Sequence, residues 1–70
     1  MGLRERLAAS LRRLRGQRGW TQIEAAEAAG MDVRHYQRLE GAKVSATLDT
    51  VDTLAAAFDV DVADLLGDGE

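Results

Sequence analysis

The stretch Gln22–Leu39, QIEAAEAAGMDVRHYQRL, sets small and apolar residues where two short helices crossing at a tight turn require them. Ala25 and Ala26 sit one helical turn into the first segment and Ala29 closes it. Gly30 follows, the residue type that reaches φ > 0 without a Cβ penalty. Met31 falls in the turn, and Tyr36 and Leu39 share one face of the second segment. This spacing predicts a helix-turn-helix over about residues 22–40, a unit whose second helix can enter the major groove of DNA.

On the N-terminal side, Leu3, Leu7, Leu11 and Leu14 recur at helical spacing and predict an amphipathic first helix, with Gly19 as its C′ residue. Trp20 is expected to close the junction to the second helix. Thr21-Gln22-Ile23-Glu24 reads as a capping box that starts it. Asp32 is expected to cap a third helix running to about Glu40 or Gly41. Thr47 is expected to cap a fourth, with Leu48, Val51, Leu54, Ala55 and Phe58 on one face. Asp61 should cap a short fifth helix holding Val62, Leu65 and Leu66 and ended by Gly67. Val60 and Val62 alternate with aspartates, which leaves a brief strand as the minor alternative. The expected class is all-α: five helices in one domain over residues 1–70, with no sheet.

Seventy residues without cysteine allow neither a disulfide nor a thiolate metal site, so packed helices or a partner subunit must supply the stability. No apolar run approaches the roughly 20 residues of a membrane span, and no signal-peptide pattern stands at the start. Met1-Gly2 suggests myristoylation, but Arg6 stands where Ser or Thr is needed. A cytoplasmic protein with no membrane partner is expected. The net charge of −3 hides a strong polarity. All nine basic residues lie within the first 43 positions, against five acids; from Val44 onward there are seven acids and no base. Such a chain can turn a basic face to phosphate while its acidic end points elsewhere.

On the third helix, Val33, Arg34, Gln37 and Arg38 lie away from the Tyr36 and Leu39 face. Arginine can donate twice to guanine, glutamine pairs with adenine, and Val33 can touch a thymine methyl. Arg34 and Arg38, four apart, repel with nothing opposite them unless a phosphate or guanine intervenes. Gln22, at the N-terminus of the second helix, and Lys43, just past the third, are placed to hold phosphates, which fix register rather than sequence. Asp32 is read first as a cap and second as an acceptor for a cytosine amino group. His35, the only histidine, is assigned to packing or a phosphate contact. Neither a catalytic nucleophile–base pair nor a metal-ligand cluster is legible, so no enzyme, metal or cofactor is expected. Glu24 and Glu27 are read as cap and surface, with contact to RNA polymerase as the alternative.

From about Leu11 to Leu66 the chain resembles the phage-repressor and Cro type of helix-turn-helix, the XRE family. The resemblance rests on Leu11-Arg12-Arg13-Leu14-Arg15, Gly19-Trp20-Thr21-Gln22, Ala26 with Gly30, Tyr36-Gln37-Arg38-Leu39-Glu40, Leu48 to Ala57, and Asp61 to Leu66. It implies a compact, lambda-repressor-like five-helix domain that binds double-stranded DNA at operators as a homodimer. It also implies Gln22 as a phosphate clamp, Asp32, Val33, Arg34, Gln37 and Arg38 as reading positions, and a salt bridge between Arg15 and Glu40. The chain departs from the family pattern at Ala25, where a larger aliphatic is usual, at Ala42, where glycine is frequent, and at Ala46, where proline is frequent. Val60, Val62, Leu65 and Leu66 crowd a terminal segment that so small a core is not expected to cover, and they are assigned to the dimer interface. Two alternatives keep the fold but change the job: a protein-interaction module docking through the acidic stretch, and an antitoxin-like partner that also represses its own operon.

Overall fold

The computed structural model describes residues 2–66. Five helices account for most of them: α1 (Leu3–Arg18), α2 (Gln22–Ala29), α3 (Val33–Glu40), α4 (Leu48–Phe58) and α5 (Val62–Leu66). No strand occurs among the described residues. Gly67, expected to end the fifth helix, lies outside them. The helix starts are set by local side-chain chemistry. Thr21 accepts from the Glu24 N–H (3.1 Å) while the Glu24 carboxylate accepts from the Thr21 N–H (2.8 Å), a complete capping box. Asp32 Oδ1 accepts from the Arg34 N–H (2.7 Å) and Thr47 Oγ1 from the Thr50 N–H (3.1 Å). The fifth helix differs from expectation. Asp61 offers its own N–H to the Asp64 carboxylate (3.1 Å), so only the reaching-back half of a box is present.

The ends are equally local. Gly19 and Gly30 terminate α1 and α2 at φ of 68° and 67°. The sharp turn after Ala29 lets Met31 N–H return to the Ala26 carbonyl (3.0 Å), which brings α3 back against α2. At the end of α3, Lys43 N–H bonds to the Arg38 carbonyl (2.9 Å) and Ala42 N–H to Leu39 (3.2 Å). This is the same six-to-one closure, but alanine occupies its left-handed position, at φ 58°. Gly41, one place earlier, sits at φ −89° and makes no use of its freedom.

Packing follows from the apolar stripes. α1 lies against α3 and α5, α2 against α3 and α4, and α5 also meets α4. Leu11, Tyr36, Leu39, Leu54, Phe58 and Leu65 fill the centre. Ala25, Ala26 and Ala29 are buried as well, so the small side chains of α2 let its backbone approach closely. Trp20 closes the α1–α2 junction as expected, its ring 5.3 Å from that of Phe58 and under the Arg18 guanidinium.

Two leucines expected inside are not. Leu3 is 63 % and Leu48 86 % exposed, because each stands in the first turn of its helix, ahead of the point where a neighbour covers the stripe. The terminal segment departs in the opposite sense. Leu65 is wholly buried within the protomer and so unavailable to a partner, while Val60 and Leu66 are half-buried and Val62 remains 38 % exposed. The core covers more of that segment than its size suggested.

The left-handed alanine generates a prediction. Holding an L-residue there costs about 1 kcal/mol that glycine avoids. Ala42→Gly should therefore raise the melting temperature by roughly 4–8 °C in thermal denaturation followed by circular dichroism. Gly41→Ala should give no such gain.

Candidate nucleic-acid interface

The site begins with a buried anion. Glu40, the last residue of α3, is 3 % exposed, yet it carries a carboxylate. Arg15 from α1 meets it in a two-pronged ion pair, Nε to Oε2 at 2.6 Å and Nη2 to Oε1 at 3.2 Å. The third Arg15 nitrogen, Nη1, donates to the Trp20 carbonyl (3.1 Å), so the guanidinium also braces the turn into α2. Gln22 Nε2 donates to the same Oε1 at 3.1 Å. The Glu40 main-chain carbonyl accepts from Arg12. The salt bridge implied by the resemblance is thus present, and it gathers α1, α2 and α3 at one residue.

Burial alone would raise the Glu40 pKa. Hydrogen bonds from Arg15 and Gln22, with the polar Tyr36 hydroxyl nearby, outweigh it and hold the carboxyl below its ordinary range. The Tyr36 hydroxyl is itself buried beside Glu40, outside full hydrogen-bond geometry, and burial plus the adjacent carboxylate push its pKa up.

The network continues to the surface. Gln22 Oε1 accepts from Gln37 Nε2 at 3.1 Å, so Gln37 on the outward side of α3 is tethered to the core through Gln22. Gln22, read from the sequence as a free phosphate clamp, already spends one donor and one acceptor within the protein; a second N–H remains. The tie between Gln22 and Gln37, 15 positions apart, carries no local sequence signal.

The other expected reading residues divide. Arg34 and Arg38 project from the exposed side of α3 together with Gln37. Arg34 does not lack an opposite charge, as the sequence suggested: its Nε lies 3.5 Å from Asp32. Asp32 is occupied as the cap, and the Arg34 N–H, then its side chain, hold that carboxyl below the usual range. Val33 is half-buried against the core and presents only part of its surface. His35, assigned to packing or a phosphate contact, joins Asp32, Arg34 and Arg38 around a polar hollow of about 290 Å³. The three- and four-residue spacings to Arg38 were the available signal for it. Lys43 is exposed just past α3. Among the described residues, the heads of Arg38 and Lys43 make neither a hydrogen bond nor an ion pair.

The basic half of the chain is therefore not one surface. Arg12, Arg13 and Arg18 of α1 donate to the main-chain carbonyls of Glu40, Asp64 and Phe58, near the C-terminal ends of α3, α5 and α4. Those carbonyls carry the partial negative charge of their helices, so these cations serve the fold. Glu24 is likewise spent on the capping box, while Glu27 stays on the surface.

Comparison with known proteins agrees with this geometry. A helix-turn-helix family model matches residues 11–65. A crystal structure of a hypothetical transcription factor, NHTF, from Neisseria superposes with a TM-score of 0.89 at 32 % identity, over 93 % of this chain and 75 % of that one. No curated protein matches the chain.

The buried carboxylate sets a stability prediction. Glu40→Ala strands the Arg15 charge and should cost about 3 kcal/mol, the low end for a buried pair because Arg15 keeps 26 % of its side chain in solvent. Glu27→Ala, on the surface, should cost under about 0.5 kcal/mol. A folded-state pKa below the ordinary 4.5 means the contribution is complete above that pH and disappears as pH falls through the lowered value. The melting-temperature gap between wild type and Glu40→Gln should accordingly narrow in acid. A gap that stays constant down to about pH 2 would contradict the assignment.

Proposed function

The chain belongs to the XRE family of helix-turn-helix proteins, and on that premise we propose that it is a sequence-specific regulator of transcription that binds double-stranded DNA. One observation carries the reading. The inward side of α3 is locked by Tyr36, Leu39 and Glu40, leaving Arg34, Gln37 and Arg38 as its outward side, with Gln37 held in place by Gln22. Those side chains have the donor and acceptor geometry of major-groove readers. Lys43 and the remaining Gln22 N–H flank them as phosphate contacts. The protein acts by binding, with no chemical step, and in the cytoplasm.

One eight-residue helix reads only a few base pairs, so we infer a homodimer on a pseudo-palindromic operator. The side that supports this lies around a shallow apolar cleft of about 160 Å³ lined by Leu3, Leu7, Leu48, Val51 and Leu66. This side, rather than the buried Leu65, is the proposed interface, and the half-buried Val60 and exposed Val62 of the terminal segment remain available to a partner.

Two experiments test the proposal. In fluorescence anisotropy with duplexes selected from a random pool, about three phosphate contacts per protomer should weaken binding roughly a thousandfold between about 50 and 200 mM salt. Arg38→Ala should change sequence preference, whereas Lys43→Ala should weaken all duplexes alike. If neither substitution matters, the surface serves a protein partner instead. Light scattering should give a dimer mass at high micromolar concentration or on the operator. Leu48→Glu should return it to a monomer without lowering the melting temperature. A monomer under every condition would remove the homodimer.

A further inference from the structure

Glu40 does more than pair with Arg15. A carboxylate only accepts hydrogen bonds, so whatever end of the Gln22 amide faces it must be the NH₂ end. Gln22 Nε2 lies 3.1 Å from Glu40 Oε1. The opposite end of that amide is then the carbonyl, and it accepts from Gln37 Nε2 at 3.1 Å. One N–H of Gln37 is consumed in this way. Its free edge is left with Oε1, an acceptor, and the second N–H, a donor.

That pair complements one base. Adenine offers an N6 amino donor and an N7 acceptor in the major groove, whereas guanine offers two acceptors, O6 and N7. A Gln37 amide of the opposite polarity would bond Gln22 through Oε1 and turn both N–H groups outward, which suits guanine. Arg34 and Arg38 carry donors alone and have no such polarity to set. Nor can the carboxylate turn away, since two Arg15 nitrogens fix both of its oxygens and it is 3 % exposed.

We propose that Glu40 is a positioning residue for base selection: acting through Gln22, it sets the polarity of the Gln37 amide and so biases α3 toward adenine over guanine. This rests on α3 reading DNA as proposed above.

The test uses the whole chain and duplexes selected from a random pool. The position read by Gln37 is located as the one whose preference Gln37→Ala erases. There, wild type should bind adenine at least about tenfold over guanine. In Glu40→Gln, whose amide no longer dictates which way Gln22 points, the ratio should fall to about threefold or less. Gln22→Met breaks the relay while keeping the Arg15–Glu40 pair. It should show the same loss if Glu40→Gln fails to fold. Preferences erased by Arg34→Ala and Arg38→Ala should persist in both variants. A merely structural role lowers the folded fraction and scales every sequence alike, leaving the ratio intact. An unmoved ratio in a folded variant, or a wild-type preference for guanine, overturns the role of Glu40 alone. A wild-type protein that selects no sequence overturns the DNA-binding reading and this inference with it.

Discussion

A carboxylate inside a 70-residue protein is tolerable only while donors surround it, and that constraint organises the molecule. Glu40 cannot be desolvated without Arg15, and Arg15 cannot reach it unless α1 crosses the end of α3. The remaining acceptor capacity draws in Gln22, which fixes the start of α2 against the same point. Three helices are thereby held in register by directional bonds, whereas apolar contacts alone would let short helices slide. An apolar substitute of similar shape can be as stable as a buried ion pair. What an apolar pair could not do is hand an orientation on to Gln22.

The distribution of charge follows the same logic. A chain of net charge −3 is a poor polyelectrolyte ligand for DNA if its cations are spread evenly. Here they are partitioned. Three of the six α1 arginines, Arg12, Arg13 and Arg18, sit on helix carbonyl ends, where each meets a partial negative charge and ties a distant element to α1. Arg34, Arg38 and Lys43 stay at the surface of α3 and its exit, while every acid beyond Val44 stands at Asp49 or later, from α4 onward. Part of the bundle is thus tied together by cations turned to its own carbonyls.

How much of this could be read from the sequence depends on the range of each interaction. Thr21, Asp32 and Thr47 were legible because a cap is written within four residues, and Gly19 and Gly30 because left-handed backbone selects glycine. The helical face of Tyr36 and Leu39 was legible from periodicity. Leu3 and Leu48 were misread, since periodicity assigns a face but not whether another element extends far enough to cover it. Leu65 was misread for the converse reason. That the basic half would be divided between fold and surface was not legible, because the acceptors of Arg12, Arg13 and Arg18, carbonyls 28 to 51 positions away, leave no mark in composition. The Gln22–Gln37 bond, 15 positions apart, was hidden for the same reason.

That bond bears on how an eight-residue helix can discriminate at all. A glutamine free to rotate presents both polarities and must lose side-chain entropy, about 0.5–1.5 kcal/mol, each time it binds. One held before binding has already met that cost within the folding free energy, where the buried ion pair offsets it. Arg34 and Arg38 are arranged differently, one loosely paired with Asp32 and one without a partner among the described residues, so the fold does not fix their head groups. The surface therefore combines one preset polar group at its centre with adaptable cations around it. On the proposed reading, the preset group would decide between bases that differ in a single hydrogen-bond direction, and the cations would supply attraction that is largely indifferent to that direction. If α3 reads DNA as proposed, specificity depends less on how many side chains reach the groove than on how firmly one amide is held from behind.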